Sequence, residues 1–167
     1  LGNKMKFGLI TLAVVSAEEE RLGFPSPAGH TKFAGGFFKG VLDNDIETLS
    51  KCQMSGEAVA TNLVAAAQEL KAKKFADAVG SVQAALNAVA PATADCKTVE
   101  DDVKSLSSAL KHLSPKTVEA NIKANHADIM TAIGEANKNR KAEDFDGEGV
   151  QMGKAFKMLI HEESVLV

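Results

Sequence analysis

The sequence predicts an all-α protein: an antiparallel bundle of four long helices, with two short glycine-rich helices at its ends and one disulfide. Three observations predict it. From Lys32 to about His161, apolar residues recur mostly at steps of three and four, the spacing that keeps them on one helix face. Alanine, the strongest helix former, is dense in the middle at Ala58, Ala60, Ala65, Ala66, Ala67, Ala84, Ala85, Ala88 and Ala90. The chain has only two cysteines, Cys52 and Cys96, each on a predicted helix.

The elements follow in order. Met5 and Lys6 precede an apolar run from Phe7 to Val15, which ends in Ser16, Ala17 and three glutamates. A basic start, a short apolar stretch and a small-residue exit have the form of a secretory signal cleaved after Ala17. The run is about half the ~20 residues that a helix needs to cross a bilayer. The competing reading is an ordinary buried helix or strand. Residues 18–31 hold Glu18, Glu19, Glu20, Pro25, Pro27 and Gly29 without periodicity and read as a flexible leader. Residues 32–163 then form a single helical domain, a size that supports one full core.

That domain opens with a short segment rich in glycine and phenylalanine, Phe33 to Leu42, ending at Asp43, Asn44 and Asp45, which can cap the next helix. A helix from about Asp45 to Lys71 carries Ile46, Leu49, Cys52, Val59, Leu63, Val64, Ala67 and Leu70 on its inner side. The next covers about Phe75 to Val89, with Phe75, Val79, Val82, Leu86 and Val89 on one stripe, and Pro91 ends it. A third carries Cys96, Val99, Val103, Leu106, Leu110 and Leu113. Ser114 and Pro115 form a strong boundary, with serine at the N-cap and proline at the first helical position. The helix behind them runs to about Lys138, with Val118, Ile122, Ile129, Ile133 and Ala136 inward. Residues 139–147 read as a charged linker. The last helix spans about Glu148 to Glu162, with Val150, Met152, Phe156, Leu159 and Ile160 apolar.

A secreted chain favours pairing of Cys52 with Cys96, which closes a loop worth roughly 4 kcal/mol in the chain-entropy model. Their spacing is not a Cys-x-x-Cys, so a redox or zinc motif has no support. If the chain stays in the cytosol, they are two unrelated buried thiols.

Gly36-x-x-x-Gly40 and Gly149-x-x-x-Gly153 sit in the two terminal helices, each close to an aromatic and a lysine: Phe37, Phe38 and Lys39 in one, Lys154, Phe156 and Lys157 in the other. Four-residue spacing places both glycines on one face and makes a flat groove that admits another helix. The two helices are expected to cross each other, or a second copy, at these glycines. Phe33, Phe37 and Phe38, with Phe156, are the candidate aromatic contact area for a partner.

The run Gly36-Phe37-Phe38-Lys39-Gly40, one cysteine soon after, alanine-rich helices, a second cysteine before Lys97-Thr98-Val99 and a late Gly149-x-x-x-Gly153 helix together resemble small secreted two-cysteine helical proteins of ciliates and related protists. The resemblance covers most of the chain after the signal. It implies secretion and an all-helical fold, and it implies no activity.

Chemistry is sparse. The chain has a net charge of -3 and lacks Trp and Tyr, so it has neither the basic surplus that holds phosphate backbones nor rings of those types to stack bases, and no nucleic-acid partner is expected. No stretch after the signal is apolar enough to cross a membrane. His30, His112, His126 and His161 show no helical zinc spacing. His126 lies near the inward stripe and reads as a core or boundary residue. Asp144 to Glu148 lacks the twelve-residue calcium pattern. No nucleophile elbow, phosphate loop or dinucleotide fingerprint occurs. The expectation is a non-enzymatic protein without cofactor or metal, acting through a protein partner or self-assembly. The alternative is a carrier of an apolar small molecule in a helix-lined cavity, with Met130, Met152 and Met158 as adaptable lining.

Overall fold

The computed structural model describes residues 27–42, 56–89 and 96–161. These form six helices: α1 (Pro27–Leu42), α2 (Glu57–Lys71), α3 (Phe75–Asn87), α4 (Lys97–His112), α5 (Pro115–Lys141) and α6 (Phe145–Ile160). No strand occurs among the described residues, so the all-α class is observed. The apolar run 7–15, the signal 1–17, the predicted helix start at Asp45 and Cys52 lie outside them.

Two boundaries differ from expectation. α1 begins at Pro27, so the last five residues of the expected leader are helical. The expected linker 139–147 shrinks to the turn 142–144, because α5 runs on to Lys141 and α6 begins at Phe145. The cause is Asp144, whose Oδ1 accepts the Gly147 N–H at 2.9 Å and caps α6. Asp146 and Glu148 then fall in the first helical turn, where acids suit the dipole. Ser114 caps α5 as expected, accepting from the Thr117 N–H at 3.1 Å, with Pro115 behind it. Asn125 interrupts the dihedrals of α5 at φ -116°, ψ 16° and kinks it; its side-chain amide donates back to the Asn121 carbonyl at 3.1 Å.

The described chain is built from two halves of the same plan. α1 spans Pro27–Leu42 and α4 spans Lys97–His112; α2 ends at Lys71 and α5 at Lys141; α3 begins at Phe75 and α6 at Phe145. Each of these boundaries recurs 70 residues on, whereas α5 starts earlier than α2 and α6 ends later than α3 in the same frame. The turns between the paired helices match bond for bond. Ala72, Lys73 and Lys74 donate to the carbonyls of Gln68, Leu70 and Glu69, while Ala142, Glu143 and Asp144 donate to those of Lys138, Arg140 and Asn139. Lys73 (φ 60°) and Glu143 (φ 59°) occupy the same left-handed position. Buried residues correspond as well: Val59 with Ile129, Leu63 with Ile133, Ala66 with Ala136, Val82 with Met152, Ala85 with Ala155 and Leu86 with Phe156.

The halves embrace reciprocally. α1 of the first packs on α6 of the second, and α4 of the second packs on α3 of the first. The α1–α6 contact is backbone against backbone. A Cβ added at Gly36 or Gly40 would overlap the carbonyl oxygen of Asp146 or Val150, and one at Gly149 or Gly153 would overlap that of Phe33 or Phe37. Both partners advance by four residues together, so the two helices run parallel. With the backbones this close, Phe33, Phe37, Phe38 and Phe156 are fully buried, and the Phe37 ring centroid lies 5.8 Å from that of Phe156.

The α3–α4 pair lacks the glycines and does not share the α1–α6 register: Gln83 meets Ser107 while Phe75 and Val79 face Leu113 and Pro115, so α4 runs opposite to α3. The positions matching Gly36, Gly40, Gly149 and Gly153 hold Leu106, Leu110, Val79 and Gln83. Where Gly153 meets the Phe37 backbone in one pair, Gln83 Nε2 donates to Ser107 Oγ at 2.9 Å in the other. Side chains stand between these helices, and they approach each other over a much shorter length than α1 and α6 do.

The glycines therefore divide into two kinds. Gly153→Ala is expected to lower stability by about 1–3 kcal/mol, because the helices must separate to admit the methyl group. Gly80→Ala and Gly134→Ala, at helical positions with nothing within 4 Å of the added Cβ, are each expected to raise it by about 0.5–1 kcal/mol. Urea unfolding of the three variants checks both signs.

Candidate functional site

The residues expected to meet a partner are not on the surface. Phe33, Phe37, Phe38 and Phe156 are 0 % exposed, and Gly36, Gly40, Gly149 and Gly153 are spent on the α1–α6 crossing within the chain. The expectation of an exposed aromatic patch is thus corrected: close backbone approach draws the flanking rings into the core. His126 is likewise exposed on α5, not inward. His30 is half-buried on α1, His112 closes α4 and His161 caps α6. No three His, Cys, Asp or Glu side chains converge as metal ligands among the described residues. Cys96 is 4 % exposed at the N-cap of α4.

The most unusual chemistry is a closed cluster of charge. Glu148, in the first turn of α6, is 0 % exposed. Its Oε1 lies 3.1 Å from Lys71 Nζ at the end of α2 and 3.2 Å from Arg140 Nε at the end of α5. Arg140 is 6 % exposed. The second oxygen, Oε2, is buried and accepts no hydrogen bond among the described residues. Burial raises the Glu148 pKa, and Lys71 and Arg140 oppose that rise without cancelling it. Burial also lowers the pKa of Lys71, against the pull of Glu148. In the first half the positions of Arg140 and Glu148 are Leu70 and Ala78, both buried and apolar. The cluster therefore occupies core positions and joins three helices, with Glu148 and Arg140 buried and only Lys71 partly exposed.

An open groove lies between the start of α3 and the start of α5. Its volume is about 470 Å³. One wall is the α2–α3 turn and the start of α3, with Lys73, Lys74, Phe75, Asp77 and Val79; the other is Leu113 and the first turns of α5, with Pro115, Val118, Glu119 and Ile122. Phe75, Val79, Leu113, Val118 and Ile122 are each half-buried. The sequence pattern assigned these five to the inner stripes of their helices. The inward stripe of α3 is instead Ala78, Val82, Ala85 and Leu86, which leaves Phe75 and Val79 facing the groove. The buried alanines of α2 and α3 lie in the core, so the apolar space is away from the alanine-rich crossing. A second groove of about 570 Å³, between the kinked part of α5 and the end of α6, is lined by Ala120, Asn121, Ala124, Asn125, Lys157, Met158 and His161. Of the expected methionine lining, only Met158 reaches a groove described here; Met152 is fully buried and Met130 half-buried.

Comparison with protein-family models, curated proteins and solved structures finds no match to this chain. No helix of the described residues is long and apolar enough to cross a membrane.

The buried cluster yields a test through its counterpart in the first half. Glu148→Ala alone leaves Arg140 buried beside Lys71 and is expected to cost about 3–5 kcal/mol. Arg140→Leu with Glu148→Ala reproduces Leu70 and Ala78, and the pair should be as stable as the parent or more so. The pH dependence has a definite sign. With its folded pKa above the unfolded value, Glu148 makes stability rise as pH falls through the folded value towards about 4.5. Asp146, raised by burial, contributes in the same direction lower down. The double variant should lose the Glu148 share of that rise in thermal melts across the acidic range.

Proposed function

We propose that this chain is a secreted, non-enzymatic helical protein that carries an apolar small molecule in the α3–α5 groove. The groove supports the reading most directly: about 470 Å³ of mainly apolar space with a few charged groups at its rim, the character of small-molecule sites. The glycine and phenylalanine faces that might have served assembly are occupied inside the chain. Among the described residues the buried ionisable groups gather at Glu148, which is itself fully shielded from solvent.

Secretion rests on the pattern of residues 1–17 and on the cysteines. A Cys52–Cys96 disulfide belongs to the same reading, supported by a buried Cys96 and by the absence of a free thiol among the described residues. Alkylation of the unreduced, denatured protein should leave its mass unchanged, with two adducts appearing after reduction; two adducts without reduction would remove the bridge.

The carrier reading is tested with a neutral apolar dye such as Nile red. Binding should saturate at one dye per chain. Val79→Arg and Ile122→Arg, which put charge on the two half-buried walls, should each weaken it at least tenfold with little change in melting temperature. Unsaturable binding, or binding indifferent to both variants, would falsify the reading.

A further inference from the structure

Resting on the carrier reading, we infer that the groove selects a free long-chain carboxylate, with its head group held by Lys73 and Lys74 and its chain along Phe75, Val79, Val118 and Ile122.

The argument begins with where the two lysines sit. They form the α2–α3 turn at one end of the groove. Their backbone is fixed, Lys73 in the left-handed region at φ 60° and Lys74 N–H bonded to the Glu69 carbonyl at 2.8 Å. This turn is a poor place for cations. Lys74 is the N-cap of α3 and its side chain makes no capping bond, so positive charge stands at the positive end of the helix dipole. The matching turn of the second half shows the favourable solution: Glu143 and Asp144, with Asp144 capping α6. Two backbones of the same geometry thus carry opposite charge, and the cationic copy is the one beside the groove.

The remaining charges at the rim leave this end electropositive. The ion pairs among the described residues engage Lys71, Lys104, Lys123, Lys138 and Arg140, and neither Lys73 nor Lys74. On the far wall Glu119 is paired with Lys123 at 3.0 Å. Asp77, in the first turn of α3, is the one other charged lining residue. The lining holds two lysines and two carboxylates, but the lysines stand together at one end while Glu119 lies on the far wall beside Lys123. An apolar trough with a cationic end complements an apolar chain with an anionic end. The volume suits one acyl chain better than the paired chains of a phospholipid, which favours a free acid over a membrane lipid.

The experiment displaces Nile red from the full chain with oleate and, separately, with oleyl alcohol at pH 8, where the acid is ionised. Oleate is expected to bind at least tenfold more tightly than the alcohol. Lys73→Asn with Lys74→Asp should abolish that preference, weakening oleate at least tenfold more than it weakens the dye. The same variant should melt no lower than the parent, since Asp at position 74 copies the Asp144 cap; loss of oleate preference therefore cannot be attributed to unfolding. Equal binding of acid and alcohol, with the dye still held, overturns the carboxylate and leaves the groove reading standing. Failure of the dye and both lipids to bind overturns both. Binding to phosphatidylglycerol vesicles without displacement of the dye by oleate also overturns the free acid, in favour of a membrane source.

Discussion

Four glycines allow two helices to touch through their backbones, and most of the described structure depends on that contact. Gly36, Gly40, Gly149 and Gly153 place the carbonyls of Phe33, Phe37, Asp146 and Val150 where side chains would otherwise stand. Each glycine costs about 1 kcal/mol of helix propensity relative to alanine. The return is burial of four phenylalanines, each worth about 1.5–3 kcal/mol when fully removed from water, together with the dense packing that a close crossing allows. The crossing also holds together segments far apart in sequence. It brings α1 against α6, and so brings the α5–α6 hairpin under the same clamp as α1 and α2.

The other half of the plan shows what the same architecture does without that contact. α3 and α4 run in opposite directions and touch through side chains, as in the Gln83–Ser107 bond, with leucine, valine and glutamine where the other pair has glycine. A similar divergence occurs within the core, where Leu70 and Ala78 of the first half become Arg140 and Glu148 of the second. Burying an ion pair there seldom adds stability over apolar packing. With Lys71 reaching in from the first half, the pair nevertheless ties the two halves together with directional contacts.

Much of this was legible in the sequence. Helix identity followed from spacing: Val99, Val103, Leu106 and Leu110 are buried as their period requires, and Ser114–Pro115 starts α5. The glycine pairs marked a crossing. Their periodicity was silent on whether the partner was the same chain, and equally on the fate of the phenylalanines beside them. Phe75, Val79, Val118 and Ile122 show a related limit. An apolar stripe says which face avoids water, but not whether a neighbour fills the space beyond. The duplication left a local signal in Lys71-Ala72-x-x-Phe75 and Lys141-Ala142-x-x-Phe145, short and set among residues that had otherwise diverged. The charged cluster left none, since Arg140 and Glu148 look like ordinary solvated residues in a polar stretch.

Duplicated halves carry a hazard of mistaken identity: α1 could seek the helix of its own half that resembles its true mate. The distribution of bulk guards against this. The smooth face of α1 finds the matching smooth face only on α6, because Val79 and Gln83 roughen the corresponding face of α3. The leucines of α4 are similarly too large to settle against the glycines of α6 at the separation those glycines permit. Shape alone thus favours the pairing of α1 with α6 across the halves over closure of either half on itself.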